Sequence, residues 1–324
     1  MYKLSEFSTP KETFVTQKLK FIDLLTQLWC DIHNQNEVFR YKVDKIQEKV
    51  IQGNYLLQLN PDRSSKRRIP EQIENIAQPF DGNKFNFTKA STKEVIFKLH
   101  DEVDETHTIF VNVSPISQYH SLLCPSMEKC LPQVITEDSL LLILKIYFLA
   151  GDRDLRIGFN SLCAMASVNH LHYHLFLEKH DLPIETAICT HLHKEVHCFT
   201  DYPIPGFCFE VSENNIVTIT EESYKLIAYL LKNSLAHNIF LTRGSSLTGC
   251  QKEVVRLIIW PRKSSAGAKQ LASFNVAICE MSGWFPVYNT KDYETLNKEN
   301  LEAELRRWKI DDFHKLCDHI KKNI

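Results

Sequence analysis

Apolar positions change their spacing several times along the chain, and each change marks an element. Over residues 12–36 the set Phe14, Leu19, Phe21, Leu24, Leu25 and Leu28 recurs at helical spacing, which predicts a helix. Tyr55-Leu56-Leu57-Gln58-Leu59 reads as a short strand. It runs into a polar turn, Asn60-Pro61-Asp62-Arg63-Ser64-Ser65-Lys66-Arg67-Arg68, with four positive charges. From residue 81 short β-rich runs take over, at 85–88, 95–99, 108–113 and 121–125. A helix is predicted over 137–150, then a turn at 151–154 and an extended run at 155–160. The second half has the same texture, with strands expected at 206–211, 254–260 and 274–281 and helices at 221–233 and 296–320.

Strands mixed with a few helices, without regular βαβ alternation, give an α+β fold class built on an antiparallel sheet. No internal repeat is visible in the sequence. The texture divides the chain into an N-terminal helix and strand extension (1–80), a half at 81–185 and a C-terminal half at 186–324 that completes the sheet.

Composition narrows the function. Apolar residues make up 44% and charged residues 24%, with a net charge of −2, so no global basic field points to nucleic acid. The N-terminal residues are polar and of mixed charge, and the most apolar run, 139–150, is shorter than the roughly 20 residues a bilayer span needs. A cytoplasmic protein that neither binds nucleic acid nor sits in a membrane is the expectation, as a monomer or homodimer. The 10 cysteines are scattered without a CxxC pair, which reads as reduced thiols.

The sharpest local signal is His170-Leu171-His172-Tyr173-His174. On a strand, alternation places the three imidazoles on one face and Leu171, Tyr173 and Leu175 on the other, over about 13 Å. With 14 histidines in the chain, this spacing arises by chance in about 3% of such sequences, so it carries information. Three readings compete on the residues alone: a metal site, a half-buried structural cluster, and nucleophilic catalysis at phosphorus by a neutral imidazole.

The flanking residues bring in a family. Ser167-Val168-Asn169-His170-Leu171-His172-Tyr173-His174-Leu175-Phe176 resembles the signature of the histidine triad superfamily of nucleotide hydrolases and transferases. Phe110-Val111-Asn112-Val113-Ser114-Pro115-Ile116 with His120-Ser121-Leu122-Leu123-Cys124-Pro125 resembles the strand–turn–strand that precedes it. A narrower resemblance, to the GDP-D-glucose and GDP-L-galactose phosphorylase family, rests on several segments. They are Leu59-Asn60-Pro61, Asn86-Phe87-Thr88-Lys89, Gly158-Phe159-Asn160-Ser161-Leu162, Tyr202-Pro203-Ile204-Pro205-Gly206-Phe207 and Trp260-Pro261-Arg262-Lys263-Ser264-Ser265.

That resemblance implies a histidine-triad-like antiparallel sheet flanked by helices, with a second half that could serve as a degenerate partner lobe. By the same resemblance, residues 81–185 are the catalytic half and 186–324 complete the phosphate pocket. It implies His172 as nucleophile, His170 and His174 as flanking phosphate contacts, and Asn160, Ser161 and Ser167 as further hydrogen-bonding groups. The implied substrates are a GDP-hexose and inorganic phosphate, with no cofactor and no metal. His174 departs from the pattern of many transferases, which carry glutamine there, so water is open as an acceptor. A triad hydrolase and a non-catalytic nucleotide sensor are the alternatives.

Other segments are weaker. Arg262 and Lys263, at a strand end with Ser264, Ser265 and Gly267 behind them, suit a phosphate-binding turn or a solvated one; the resemblance favours the first. The basic turn 60–68 suits a solvated loop better than a phosphate rim. Cys189, His191, His193, His197 and Cys198 have zinc-type donors at non-standard spacing. With Glu185, Lys194 and Glu195 in or beside them, an exposed polar loop is the preferred reading.

Overall fold

The computed structural model describes residues 1–7, 20–35, 37–44, 46–68, 71, 73–249, 252–265 and 274–323. Among them, eleven strands form one sheet in the order Tyr2–Lys3, Val95–His100, Thr106–Val111, Ser121–Cys124, Tyr173–Leu177, Leu155–Asn160, His237–Ser245, Glu253–Pro261, Gly206–Val211, Val196–Phe199 and Thr190–His193. Every neighbouring pair is antiparallel except the first. A second sheet of three strands is ordered Trp284–Val287, Tyr55–Leu59, Gln47–Ile51.

The order of the large sheet contains a repeat. In each half, three strands form a meander, one helix follows, and two further strands return with the later one beside the meander. The helices are Glu137–Ala150 and Ile216–Lys232, and they pack against each other on one face. The halves meet where Leu155–Asn160 runs antiparallel to His237–Ser245, with Asn160 opposite Asn238 and Ile157 opposite Leu241. Equivalent strands paired antiparallel, with their helices on the same face, are related by an approximate two-fold axis through the sheet. The second half is a degenerate lobe, since Glu253–Pro261, the counterpart of the histidine strand, carries no histidine.

Packing follows alternation. Tyr173 and Leu175 join the core under the helices, with Leu140, Ile143, Leu226 and Leu230. Phe176, on the opposite face, packs with Trp284, Cys279 and Leu57 in a second core. The helix Glu137–Ala150 has the predicted bounds because Thr136 and Ser139 form a capping box and Gly151 ends it at a φ of 56°.

Several elements differ from the sequence expectation, each for a local reason. The helix expected over 12–36 is seen as Phe21–Gln35, and residues 12–19 lie outside the described residues. The strand expected at 85–88 is a 3₁₀ turn, Phe87–Lys89. There the Asn86 side chain accepts from Thr88 N–H, and Phe87 N–H donates to His170, so neither amide is available to a sheet. The strand expected at 274–281 is instead the short helix Ile278–Ser282, because Ala277 N–H donates to Glu280 and Ile278 N–H to Asn160. The helix expected over 296–320 is two, Lys298–Arg307 and Phe313–Asn323, interrupted where the Trp308 carbonyl accepts from Lys263 N–H. The polar turn 60–68 holds the helix Pro61–Lys66, capped by Asn60.

Candidate active site

The histidine run is not one strand. The strand Tyr173–Leu177 begins after His172, because the preceding backbone bonds elsewhere. Leu171 N–H donates to the Leu131 carbonyl, and His172 N–H donates to Gln133 Oε1 at 2.9 Å. Gln133 Nε2 in turn donates to the carbonyls of His172 and Asn160, at 3.1 and 3.0 Å. Gln133 itself is held through its N–H by Asn169 Oδ1. One buried glutamine thus fixes the backbone of His172 against that of Asn160.

The side chains of the run still alternate, but they do different things. His172 Nδ1 lies 2.7 Å from the carbonyl oxygen of His170. A carbonyl only accepts, so Nδ1 carries the proton and the neutral ring keeps its lone pair on Nε2. His170 is fully buried and both its nitrogens are engaged by backbone, Nδ1 accepting from Phe87 N–H and Nε2 donating to the Met127 carbonyl. Burial lowers its pKa, so the ring stays neutral. His170, expected as a phosphate contact, thus meets the site through its backbone: its carbonyl faces His172 Nδ1, its ring ties two turns together, and it is not among the residues lining the cavity of His172 and His174.

His174 is set by a fourth histidine. Ile116 N–H donates to His120 Nδ1 at 2.9 Å, and burial, followed by the nearby His174, Arg63 and His172, holds the His120 pKa well below its usual range. A neutral ring must keep one proton, so it lies on Nε2, which is 3.0 Å from His174 Nδ1. The Asn112 amide nitrogen, 3.2 Å from the same Nε2, is another donor and cannot accept it. Neutral His174 then carries its proton on Nε2, 3.5 Å from the amide nitrogen of Asn160. Asn160 Oδ1 is already engaged by Asn238 Nδ2 and Ile278 N–H, which turns its amide nitrogen toward His174. His174 Nε2–H and the Asn160 amide are then two N–H donors 3.5 Å apart, an arrangement that an anionic oxygen accepting from both would satisfy.

His172 and His174 line one cavity with Ser167, Val168 and Phe87. Its rim carries Arg63, Arg67 and Arg68, from the basic turn. Arg63 donates to the Ser114 carbonyl and to the Tyr41 hydroxyl, which anchors the first of these cations. The segment 60–68, for which a solvated loop was the preferred reading, thus brings three arginines to the histidine cavity, Arg63 from the helix Pro61–Lys66 and Arg67 and Arg68 from the residues after it.

With this geometry in place, the chain can be compared with known proteins. Residues 20–176 match the family model "GDPGP1-like, N-terminal domain", and residues 178–324 match "GDPGP1-like, C-terminal domain". The chain belongs to the GDPGP1-like family. The GDP-D-glucose phosphorylase 1 of Danio rerio is 35% identical over 305 residues, covering 91% of this chain and 88% of the relative. That of Homo sapiens is 36% identical, covering 81% and 72%. GDP-L-galactose phosphorylase 2 of Arabidopsis thaliana is 31% identical, covering 82% and 67%. Among solved structures, the yeast Ap4A phosphorylase Apa2 in complex with AMP superposes with a TM-score of 0.62 at 13% identity, over 89% of this chain and 96% of that one. The likeness at that identity is one of fold.

Within this GDPGP1-like chain the remaining sequence-predicted residues are dispersed. Ser161 is a turn residue, its hydroxyl donating to the Leu162 carbonyl and accepting from His237 N–H. Arg262 is buried away from the cavity, donating to Asn238 Oδ1 and the Val276 carbonyl and lying 4.3 Å from the Trp308 ring. Burial lowers its pKa to about 9. Lys263 pairs with Asp311 at 2.8 Å beside a separate cleft that also holds Asp312. Arg262, Lys263 and Ser264 line that separate cleft, and Ser161, Arg262 and Lys263 are not among the residues lining the His172 cavity. Arg262 instead steadies Asn238, which holds Asn160. Gly267 lies outside the described residues.

The cysteine–histidine segment is also resolved. Thr190–His193 and Val196–Phe199 form a hairpin at the sheet edge, with His191 Nε2 donating to the Lys194 carbonyl. Among the described residues no group of three or more His, Cys, Asp or Glu gathers as a metal site. Glu185 is not an exposed loop residue but is buried, 2.7 Å from Arg156. The residues that sequence reading missed are Gln133, for which no local pattern exists, and His120, which lay in a quoted segment but had no assigned task.

Proposed function

We infer that the chain is a nucleotidyltransferase that phosphorolyses a GDP-hexose, releasing GDP and hexose 1-phosphate through a guanylyl-histidine. What carries the reading is His172, whose Nδ1–H is engaged by the His170 carbonyl so that Nε2 presents its lone pair in a cavity rimmed by arginines. It is supported by the relatives named as GDP-D-glucose and GDP-L-galactose phosphorylases.

In the first step His172 Nε2 attacks the α-phosphorus and the bond to the bridging oxygen breaks, so that hexose 1-phosphate leaves with that oxygen. The imidazole becomes cationic, and the His170 carbonyl stabilises the charge at Nδ1. A phosphate monoester leaves readily, its second pKa being about 6, so little acid assistance is required. The greater task is to neutralise the phosphoryl oxygens. His174 Nε2–H and Asn160 Nδ2–H suit one of them, while Arg63 and Arg67 supply the positive field. In the second step an oxygen of inorganic phosphate attacks the same phosphorus, GDP forms, and His172 returns to its neutral state.

A second reading, hydrolysis of the same intermediate by water, follows from His174, where many transferases of the superfamily carry glutamine. No helix among the described residues is long and apolar enough to cross a membrane. The reading adds a cytoplasmic protein, monomer or homodimer, acting without nucleic acid, membrane or cofactor, with residues 81–185 as its catalytic half.

The test is incubation with labelled GDP-glucose. Phosphate-dependent formation of GDP and glucose 1-phosphate is expected, while GMP release without phosphate favours hydrolysis and binding without turnover favours a sensor. His172→Asn is expected to reduce turnover at least ~10³-fold and to abolish the acid-labile guanylyl adduct. Full activity in that variant would remove His172 from the mechanism.

A further inference from the structure

The cavity continues past His172 into an aromatic recess. The Phe87 ring lies 5.1 Å from the His172 ring and 5.7 Å from Phe110. Phe85 follows, 5.9 Å from Phe87 and nearly perpendicular to it, and the Arg68 guanidinium lies 3.2 Å from the centre of the Phe85 ring. One carboxylate, Glu94, completes this wall. Its position is fixed: Ser91 N–H donates to Glu94 Oε1 at 3.1 Å, as part of the capping box of the 3₁₀ turn Thr92–Glu94. Glu94 also supports the charge on Arg68, whose pKa burial lowers first.

A recess lined by aromatic rings, with a carboxylate and a guanidinium in its wall, selects among bases by its pattern of donors and acceptors. Guanine presents two adjacent donors, N1–H and the N2 amino group, next to acceptors at O6 and N7, and Arg to O6 and N7 is a common specific pairing. Adenine places an unprotonated N1 where the carboxylate would sit, and uracil offers one N–H between two carbonyls. A base read on its Watson–Crick edge and held between aromatic side chains is a recurrent solution.

We propose that Glu94 and Arg68 read the guanine of the substrate, the Glu94 carboxylate accepting from N1–H and the N2 amino group and Arg68 donating to O6 and N7, with Phe85 and Phe87 against the ring. The proposal rests on the phosphorylase reading above and supplies the base specificity that His172, Arg63 and Arg67 do not. Glu94 and Arg68 act in it as specificity residues and take no part at the reacting phosphorus.

Glu94→Gln separates this role from the cap, because the amide oxygen can still accept from Ser91 N–H. The expected result is a fall in kcat/KM for GDP-glucose of roughly 10- to 100-fold, from the discrimination typical of a bidentate base contact. IDP-glucose, which lacks the N2 amino group, is expected to be affected much less, so the preference for guanine over hypoxanthine collapses. XDP-glucose, with a carbonyl at C2, is expected to gain activity because glutamine can donate to it. Arg68→Met is expected to weaken GDP-glucose and IDP-glucose alike, since both keep O6 and N7. An unchanged guanine-to-hypoxanthine ratio in Glu94→Gln overturns the proposal while leaving the phosphorylase reading intact. If the unaltered protein turns over no GDP-glucose, that reading fails instead. The base subsite is then judged by calorimetric binding of GDP, IDP and ADP, where equal affinities overturn it.

Discussion

His120 Nε2 lies 3.0 Å from His174 Nδ1, and the backbone N–H of Ile116 decides which of the two rings holds the proton between them. Because Ile116 donates to His120 Nδ1, His120 is the donor, and His174 must present its own proton at Nε2, beside Asn160. A backbone amide in a turn thereby sets the state of a side chain two rings away. Replacing His120 with alanine removes the donor at His174 Nδ1, so the proton of neutral His174 is no longer fixed on Nε2 by its neighbour. In His120→Ala, kcat is expected to fall by about 10- to 100-fold, as when an outer-shell partner that orients a functional imidazole is lost. An unchanged kcat would reduce His120 to a packing role.

Gln133 tests whether the backbone of the run must be held. It is 1% exposed, and its side chain makes three hydrogen bonds, two to His172 and one to Asn160. Gln133→Ala leaves a buried N–H and two carbonyls without that partner, a loss of about 1–3 kcal/mol for each group left unsatisfied. The urea midpoint is expected to drop and kcat with it, since His172 and Asn160 are tethered by the same amide. Gln133→Glu keeps the acceptor for His172 N–H but loses the donor to both carbonyls, and is expected to rescue neither property. Denaturation curves and kcat measured on both variants check this.

How far such relationships could be read from sequence depends on their range. The helix Glu137–Ala150 and the strands Leu155–Asn160 and Gly206–Val211 were legible because their caps and alternation are local. The runs at 85–88 and 274–281 were misread because their amides bond to side chains distant in sequence, Phe87 to His170 and Ile278 to Asn160. At the site, the spacing of the histidines marked the segment and left three readings open, and the resemblance singled out His172. The spacing could not show that His170 has both nitrogens engaged by backbone, nor that Gln133, 39 residues away, clamps His172. The two-fold repeat of the sheet was invisible because it lies in strand order, which no pattern of residues preserves.

Glu185 offers a stability prediction away from the site. Its carboxylate accepts from Arg156 Nε at 2.7 Å, Thr242 Oγ1 at 2.6 Å and Leu182 N–H at 3.0 Å, with both ionic partners nearly inaccessible to solvent. Burial lowers the Arg156 pKa and Glu185 opposes that shift, so the pair is mutually dependent. Glu185→Ala strands a buried guanidinium and is expected to destabilise by about 3–5 kcal/mol. Lys225→Ala, which breaks an exposed pair with Glu222, is expected to cost well under 1 kcal/mol. Urea midpoints of the two variants give the comparison. Equal effects would mean that the buried pair is relaxed by water.

His237 predicts the direction of acid sensitivity. It is 2% exposed at the head of the strand His237–Ser245, and its Nδ1–H donates to the Leu235 carbonyl. Burial lowers its pKa to about 4. In the unfolded chain an imidazole titrates near 6.5, so below that pH the unfolded state binds a proton that the folded state refuses. Its contribution to stability is therefore fully present above about pH 6.5 and is lost as pH falls toward 4, by roughly 3 kcal/mol in total. His120 and His170, also held neutral by burial, act in the same direction. Urea midpoints at about pH 7.5 and about pH 5 are expected to differ less in His237→Gln than in the unaltered protein, by about 2 kcal/mol once converted to free energy. An equal pH dependence in both proteins would assign the acid sensitivity to other groups.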